Sequence, residues 1–242
     1  FEIWDNLGIE TGIEMIKSCG EEIPNWITDM SDSEVESFYK FEDGKKKFYD
    51  VNSKKYINVP SSEDHYILDA FRENKQILRN PECTVHDIGD GVMCIEFQTK
   101  GNSIGEGIAK GINEAIDIAE RDGWNGIVIG NNEKQFSVGA NLMNMGMMAM
   151  QKNFDEIEKF LVGFQKILMR MRTCNIPVVS ATHGFVMGGG LEVSIHCDAG
   201  IHASESYIGL VEAGVGLIPG GGGTKEMACL LYTSDAADDD HC

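Results

Sequence analysis

Several features that would point to a membrane, a secreted or a nucleic-acid-binding protein are lacking in this sequence of 242 residues. No stretch approaches the ~20 apolar residues that a membrane-spanning helix needs, and no basic segment followed by an apolar core opens the chain as a secretion signal would. A basic character is also lacking, because the formal net charge is −19, whereas a nucleic-acid-binding face requires clustered lysine and arginine. The sequence therefore predicts no membrane span and no nucleic-acid partner.

An ordered cysteine framework is lacking too. The seven cysteines lie at irregular spacings, their number is odd, and no CxxC pair occurs. Paired cysteines at regular spacings are typical of disulfide frameworks and zinc sites. We therefore expect reduced thiols, no metal site and a cytoplasmic location.

The chain divides by composition into four parts. Residues 1–30 carry apolar residues at helical spacings and are expected to form helices. Residues 31–80 are charged and rich in turn-forming residues, and we interpret them as a linker. Residues 81–231 alternate between strand and helix patterns, whereas residues 232–242 break off from that alternation.

Local signals refine the linker and the tail. Asp43-Gly44 is a tight-turn signal that predicts a small hairpin, and residues 63–79 are predicted to form a helix leading into the next domain. The tail contains a SDAAD run that resembles translated sequencing-adapter read-through, and we interpret residues 232–242 as non-native. The alternative is a genuine acidic, disordered terminus.

The pattern of residues 81–231 predicts an α/β domain. Apolar residues at helical spacing predict helices over 105–123 and 154–173. The predicted strands are Val92–Phe97, the buried GIVIG segment at 126–130, the segment 177–184 and a strand near 198–202. Strands that alternate with helices favour right-handed crossovers and a largely parallel sheet.

The glycine-rich segments do not match phosphate-binding motifs. GLIPGGGGTKE has Thr224 before Lys225, the reverse of the order in a P-loop, and GVGLIPG departs from GxGxxG in the position of its third glycine. Glycine-rich turns without such a match are more often tight turns than nucleotide sites.

Two glycine-containing turns could together bind an anionic oxygen. HGFVMGGGLE places three glycines between a strand and a helical pattern, and a helix N-terminus presents unpaired N–H groups. EKQFSVGANL places Gly139-Ala140 at a second turn after a strand. Two such turns can supply two backbone donors to a developing oxyanion; the alternatives are a tight strand-to-helix junction and a plain turn with Asn141 as helix cap.

Two glutamates accompany these turns. Glu192 follows the third glycine by two residues, and Glu212 lies among apolar neighbours twenty residues later. A glutamate in such surroundings is either solvent-facing, often with an ion-pair partner, or partly buried with a raised pKa. Two carboxylates in one pocket could divide acid and base roles. His183 and His196 lie nearby, and we interpret both as structural.

The motifs GANL, HGFVMGGGLE and YIGLVEAGVGLIPGGGGTKE, in this order and spacing, resemble the crotonase (enoyl-CoA hydratase/isomerase) superfamily over residues 84–231. The resemblance implies an incomplete crotonase-like ββα-superhelix of the α/β class. It implies catalytic roles for Glu192, which would activate water, and Glu212, which would transfer the proton at Cα. It places the oxyanion-binding amides at Ala140 and Gly189.

The resemblance also implies the ligand and its surroundings. An acyl-CoA thioester would be the substrate, bound beside Gly139, Asn141, Leu142 and Gly188, and no cofactor would be needed. The family often has Asp at the position of Asn141 and Lys at that of Met143, so other groups would have to meet the CoA phosphates. The methionine run 143–150 either packs flexibly into the core or forms a mobile wall of the acyl pocket.

The opening FEIWDNLG, which lacks an initiator methionine, resembles the end of the C-terminal helical domain of 3-hydroxyacyl-CoA dehydrogenases. We therefore expect a fragment of a bacterial fused 3-hydroxyacyl-CoA dehydrogenase/enoyl-CoA hydratase of β-oxidation. NAD would bind only to the missing dehydrogenase part, and the complete protein would be a homo-oligomer. The alternatives are an isomerase of the same fold, for which a single carboxylate often suffices, and an inactive acyl-CoA-binding fragment.

Overall fold

The computed structural model describes residues 1–33, 35–42, 45–60, 67–71 and 75–235. The chain divides into two compact units, Phe1–Asn74 and Lys75–Cys242. No helix within the described ranges is both long enough and apolar enough to cross a membrane.

The first unit combines three helices with a three-stranded antiparallel sheet. The helices are α1 (Glu2–Leu7), α2 (Ile9–Ser18) and α3 (Asn25–Asp32), which confirms the helices predicted for the start of the chain. The strands are β1 (Tyr39–Glu42), β2 (Lys45–Asp50) and β3 (Lys55–Asn58), and a 3-10 helix covers Leu68–Phe71. The core consists of Ile9, Ile13, Ile27, Met30 and Phe38.

This unit departs from the interpretation of residues 31–80 as a linker. Phe38 lies between the helices and the sheet, where its ring stacks on Trp4 with centroids 5.4 Å apart. Residues up to Asn74 therefore belong to the same compact unit as the helices, because aromatic residues within the charged segment supply part of its core. The predicted hairpin exists as the β1–β2 pair, although its turn, Asp43-Gly44, lies outside the described residues.

The second unit is built on a six-stranded sheet in the order β10-β8-β7-β6-β5-β4. The strands β6, β7, β8 and β10 are mutually parallel, whereas β4 and β5 pair antiparallel at one edge. Their bounds are β4 (Gln76–Arg79), β5 (Cys83–Asp87), β6 (Val92–Phe97), β7 (Gly126–Ile129), β8 (Val178–Thr182) and β10 (Ala199–His202). The four strands predicted within 81–231 are thereby confirmed.

The prediction of a helix over 63–79 is wrong. Gln76–Arg79 forms the edge strand β4, and Leu68–Phe71 forms only a single 3-10 turn, while residues 61–66 and 72–74 lie outside the described residues. Pairing with β5 supplies backbone hydrogen bonds that override the local helical pattern. β4 also places the second unit's start at Lys75, six residues before the predicted domain boundary at 81.

Five α-helices lie within the described residues of this unit. These are α4 (Glu106–Asp122), α5 (Leu142–Met150), α6 (Phe154–Thr173), α7 (Gly189–Ile195) and α8 (Gly223–Asp235). Of these, α4 packs on β4, β5, β6 and β7, and α7 packs on β8 and β10. The helices α4 and α6 match the predicted ones, because their apolar residues recur at helical spacing and are buried: Ile108, Ile112, Ala115, Ile116 and Ala119 on α4, and Phe164, Leu168 and Met171 on α6. Each fully buried isoleucine or leucine contributes ~1.5–3 kcal/mol relative to an exposed one.

A small parallel pair lies between the large sheet and the glycine-rich turns. It consists of β9 (Phe185–Met187) and β11 (Tyr207–Gly209). The sequence analysis did not predict either strand, because three residues are too few to show a period. Strand β9 leads directly into Gly188 and α7.

Candidate active site

The amide of Ala140 projects from a bridge between two loops. Ile104 N donates to Gly139 O at 2.7 Å, and Asn141 N donates to Ile104 O at 3.1 Å. The intervening amide of Ala140 takes no part in this parallel bridge. Among the described residues, no backbone acceptor receives it.

The amide of Gly189 is the second unpaired donor. Gly188 N donates to Gly209 O at 2.9 Å, which ties the turn to β11. Gly188 has φ 52° and ψ −121°, a conformation that side chains rarely tolerate. α7 begins at Gly189, so this N–H is one of the first-turn donors that have no acceptor within the helix.

The two turns lie against each other. A Cβ atom added at Gly189 would stand 3.4 Å from Ala140 N, and one added at Gly139 would stand 3.1 Å from Gly189 N. Gly139 has φ +92°, and its added Cβ would also approach Met187 O to 2.8 Å. Glycine is therefore required at 139 for two reasons, and the structure brings both predicted donors to one place.

Glu192 lies one turn along α7 from Gly189. Its side chain is only 2% exposed. Oε1 accepts hydrogen bonds from Gly221 N at 2.8 Å and from Gly223 N at 2.9 Å. Burial raises the pKa of Glu192, and the charge of Glu212 adds to this effect, while the two amide donors lower it. Because both amides bind Oε1, Oε2 is left for another partner.

Glu212 begins a short 3-10 helix, Glu212–Val215, and is half-buried. Its Oε1 would be 3.1 Å from a Cβ added at Gly188, so the carboxylate lies over the turn that presents the Gly189 amide. Oε2 is buried and has no hydrogen-bond partner among the residues that the structure describes. A buried acceptor without a partner is costly, which indicates that a bound molecule or water completes this site.

A cavity of about 610 Å³ adjoins these groups. Asn141, next to the Ala140 amide, lines it, and so does Ile104, whose Cδ1 would be 3.5 Å from a Cβ added at Gly189. Neither glutamate lines the cavity. Its apolar lining consists of Ile104, Ala109, Met145, Met148, Ile157, Phe160, Phe164 and Ile167. Five charged residues (Glu82, Glu106, Lys110, Glu156 and Lys159) and three asparagines complete the lining, so the cavity combines an apolar part with a charged part.

Phe164 connects the cavity with the carboxylates. Its ring lines the cavity. A Cβ added at Gly221 would stand 2.7 Å from Phe164 Cε1 and 2.5 Å from Glu192 Oε2. Phe164 therefore borders both the cavity and the surroundings of Glu192.

The family model for enoyl-CoA hydratase/isomerase matches residues 87–236. The chain belongs to this family. Residues 87–236 include both amide-presenting turns and both glutamates, so the site lies inside the matched region.

Two named relatives are longer than this chain. The chain is similar to a protein of Bacillus subtilis (strain 168) named probable 3-hydroxyacyl-CoA dehydrogenase, with 39% identity over 94% of this chain and 28% of that protein. It is also similar to a short-chain-enoyl-CoA hydratase of Clostridium acetobutylicum, with 36% identity over 43% of this chain and 39% of that enzyme. The chain spans less than a third of the Bacillus relative.

Solved structures share the fold of the second unit. An enoyl-CoA hydratase structure from Geobacillus kaustophilus superposes with a TM-score of 0.58 at 26% identity, covering 66% of this chain and 61% of that one. One from Polaromonas sp. JS666 gives a TM-score of 0.58 at 23% identity, covering 60% of this chain and 57% of that one. The predicted crotonase-like α/β fold is confirmed.

The departures from the family pattern have structural counterparts. Asn141 caps α5, because its side chain accepts a hydrogen bond from Asn144 N at 3.2 Å, as one of the alternatives in the sequence analysis proposed. Leu142 starts that helix and is 48% exposed, and Met143 is 77% exposed. Position 143 therefore offers no cation beside this enoyl-CoA hydratase/isomerase family site.

The methionine run does not pack into the core. The helix α5 has no buried residue, and Met150 is 87% exposed. Met145 and Met148 instead line the cavity. The first interpretation of this run is therefore wrong, because the amphipathic face of α5 borders a cavity and not the packed interior.

The sequence analysis did not predict the hydrogen bonds that hold Glu192. The segment GGGG was compared there with phosphate loops and formed part of a family motif, and two of its amides, Gly221 N and Gly223 N, bind Glu192. His196, interpreted as structural, is 1% exposed and contacts the Glu192 carbonyl oxygen through Nδ1 at 2.7 Å. Its place one helical turn after Glu192 was the available signal.

Proposed function

We propose that this chain carries an enoyl-CoA hydratase module, which adds water across the 2,3 double bond of an enoyl-CoA thioester. The single observation that carries the proposal is the convergence of two unpaired amides, Ala140 and Gly189, with two carboxylates, Glu192 and Glu212. The family membership and the named hydratase relative support it.

The amides would bind the thioester carbonyl oxygen. Addition at Cβ moves electron density through the double bond onto this oxygen and forms an enolate-like species. Two fixed N–H dipoles stabilise that charge more than they stabilise the neutral substrate, and losing one such donor typically costs ~3–4 kcal/mol. Gly139 and Gly188 would contribute by letting the thioester approach the backbone.

The carboxylates would divide the proton transfers. Glu192, with Oε1 held by two amides, would accept a hydrogen bond from water through Oε2 and remove a proton as the water oxygen bonds to Cβ. Glu212 would contact the same water and supply the proton that bonds to Cα. Exchange with solvent water would then carry the proton gained by Glu192 back to Glu212, so that the sum is one water added across the double bond, which gives a 3-hydroxyacyl-CoA. The raised pKa of Glu192 suits a group that must exchange protons near neutral pH.

The apolar part of the cavity would hold the acyl chain. Its lining by Met145, Met148, Phe160 and Ile167 suits a hydrocarbon chain, and flexible methionines adapt to different shapes. Asn141 and Leu142 would border the thioester end.

An isomerase of the same fold is the second candidate. It would shift a double bond between carbons of the acyl chain, for which one carboxylate often suffices. The presence of both Glu192 and Glu212 beside the paired amides favours hydration. Retention of the complete set of groups also argues against a chain that only binds acyl-CoA.

The parent protein would be a fused 3-hydroxyacyl-CoA dehydrogenase/enoyl-CoA hydratase. The name of the Bacillus relative, with which similarity extends over 94% of this chain, supports this proposal. The dehydrogenase part would use NAD to oxidise the 3-hydroxyacyl-CoA that the module forms, and the module itself would need no cofactor. We further propose that the complete protein is a cytoplasmic homo-oligomer, in keeping with cysteines that favour reduced thiols.

The experiment compares two substrates with the full-length protein. Crotonyl-CoA should lose its conjugated absorbance as 3-hydroxybutyryl-CoA accumulates, while 3-hexenoyl-CoA should not be converted to the 2-enoyl isomer at a comparable rate. Rapid conversion of 3-hexenoyl-CoA without hydration of crotonyl-CoA would favour the isomerase. No turnover of either would leave acyl-CoA binding as the function.

A further inference from the structure

A second buried carboxylate lies behind Glu192. Glu226, on the first turn of α8, is 2% exposed. Arg172 Nη1 donates to its Oε2, Lys225 Nζ lies 2.7 Å from Oε1, and His196 Nε2 lies 3.7 Å from Oε1. Burial would raise the pKa of Glu226, but the hydrogen bonds from Arg172 and Lys225 outweigh it and hold the pKa at about 2. This buried carboxylate is therefore ionised at neutral pH.

His196 packs between Glu226 and the backbone of Glu192. Its Nδ1 lies 2.7 Å from Glu192 O. Since a carbonyl oxygen can only accept, Nδ1 carries the proton. Burial lowers the pKa of His196, and Nε2 lies 3.7 Å from Glu226 Oε1, in packing contact but beyond hydrogen-bond distance. His196 thus sits between the end of α7 and the start of α8.

The glycine loop links Glu226 to the side chain of Glu192. Glu226 N donates to Gly222 O at 3.0 Å, and the neighbouring amides of Gly221 and Gly223 bind Glu192 Oε1. Gln165 on α6 adds a hydrogen bond to Gly220 O at 2.6 Å. The carboxylate of Glu192 therefore connects through the glycine loop to α8, the helix that Glu226 joins to Arg172 of α6.

We propose that Arg172, His196 and Glu226, together called the Glu226 clamp, are positioning residues for Glu192. The clamp fixes α8 against α6 and α7, so that the loop amides keep Oε1 engaged and leave Oε2 directed at the reacting water. None of the three residues lines the cavity or contacts the paired amides. The inference rests on the proposed function, because the water is the one that the hydratase would add.

The test uses charge-removing variants of the clamp and a control from the same helix. Glu226→Gln and Arg172→Gln keep the approximate size of each side chain and remove its charge. Arg170→Gln is the control, because it also removes an arginine charge from α6. Arg170 does not bind Glu226; its Nη2 donates to Oδ1 of Asp117 on α4 at 2.6 Å. In the full-length protein, each clamp variant should lower kcat for crotonyl-CoA by about 10- to 100-fold with little change in KM. Arg170→Gln should leave both constants unchanged.

Amide hydrogen exchange supplies a readout that does not depend on turnover. The segment 218–224, which contains the donors to Glu192, should exchange faster in Glu226→Gln than in the wild type, and no faster in Arg170→Gln. If Glu226→Gln does not fold, two variants of His196 test the clamp instead. His196→Asn places an amide N–H where Nδ1 lies and should retain more kcat than His196→Gln, which cannot reach Glu192 O in the same way.

The outcomes separate the clamp from the proposed function. Wild-type exchange of 218–224 together with wild-type kcat in Glu226→Gln would overturn the clamp. Equal kcat in His196→Asn and His196→Gln would overturn it as well. Faster exchange in Glu226→Gln, in a protein whose wild type does not hydrate crotonyl-CoA, would support the clamp and reject the hydratase.

Discussion

Glu192 is buried, bound by two amides and close to a second carboxylate, and these conditions act on its pKa in opposite directions. Burial and the Glu212 charge raise the pKa, while the Gly221 and Gly223 amides lower it. The balance lies on the raised side. A folded-state pKa above the unfolded one means that ionising Glu192 costs folding free energy.

Glu192→Gln should therefore stabilise the protein. The cost of ionisation is absent below the ordinary pKa of 4.5, and it develops as the pH rises through the raised folded-state pKa. Glutamine does not ionise, so its Tm should exceed that of the wild type at pH 8, by about 2–4 °C for each 1 kcal/mol in a domain of this size. The difference should vanish near pH 4. Thermal melts at pH 8 and pH 4 measure the difference in Tm between Glu192→Gln and the wild type. Glu205→Gln, at an exposed side chain, is the control and should leave Tm unchanged. A lower Tm for Glu192→Gln than for the wild type at pH 8 would contradict the prediction.

The amide pair can be tested at Gly189. A methyl group at Gly189 would stand 3.4 Å from Ala140 N, in the space where a thioester oxygen must lie ~3 Å from the donor. Gly189→Ala should lower kcat/KM for crotonyl-CoA by about 10²- to 10³-fold without loss of Tm, because alanine suits a helix.

Gly146→Ala is the matched control. It adds a methyl group on α5 with nothing within 4 Å and should leave kcat/KM unchanged. Normal turnover in Gly189→Ala would show that the oxygen does not bind between these amides.

At the residue scale, the sequence predicted the site where several residue types occur together in a motif that is rare by chance. The turns at Ala140 and Gly189 and the two glutamates were predicted from such motifs, and the structure brings them together. The Glu226 clamp was not predicted, because a pairing between Arg172 and Glu226 joins side chains far apart in sequence with no local pattern to indicate it.

Among the elements, α5 is the helix whose role differs most from expectation. Its residues are predominantly apolar, yet none is buried. Two of its methionines, Met145 and Met148, line the cavity beside α6. If this cavity holds the acyl chain, α5 sets the length that fits.

Met145→Phe should narrow the substrate range. The larger ring takes up part of the cavity, so kcat/KM for dodecenoyl-CoA should fall about tenfold more than kcat/KM for crotonyl-CoA, since one or two methylenes of mismatch cost ~1–3 kcal/mol. Met150→Phe, at a side chain 87% exposed, serves as control and should change neither. An equal effect of Met145→Phe on both substrates would place the acyl chain elsewhere.

Helices and long strands followed from the sequence because burial on one face imposes a period. The helix α4 shows this most clearly, with buried residues at 108, 112, 115, 116 and 119. The pair β9 and β11 and the edge strand β4 did not follow, because they owe their form to strand partners and not to a local pattern. Of these, β9 leads into Gly188, and Gly209 O of β11 accepts from Gly188 N.

At the scale of the whole molecule, the linker predicted from composition is part of the folded first unit. The charged segment after residue 30 has the character of a linker, but only a few apolar residues are needed to close a small core, and Phe38 supplies one. The identity of residues 1–30 as the end of a dehydrogenase domain, and of residues 232–242 as non-native sequence, stay predictions. The genomic sequence upstream of Phe1 tests the first, since a dinucleotide-binding fingerprint there would support the fused enzyme and a start codon immediately before Phe1 would contradict it.

The central claim is that Glu192 and Glu212 together hydrate an enoyl-CoA bound at the Ala140 and Gly189 amides. The most direct measurement is the turnover of crotonyl-CoA by Glu192→Gln and Glu212→Gln in the full-length protein, with butyryl-CoA binding measured alongside. We predict that each variant loses about 10²- to 10⁴-fold in kcat while its affinity for butyryl-CoA changes little. Near-normal turnover by either variant would contradict the role assigned to that glutamate.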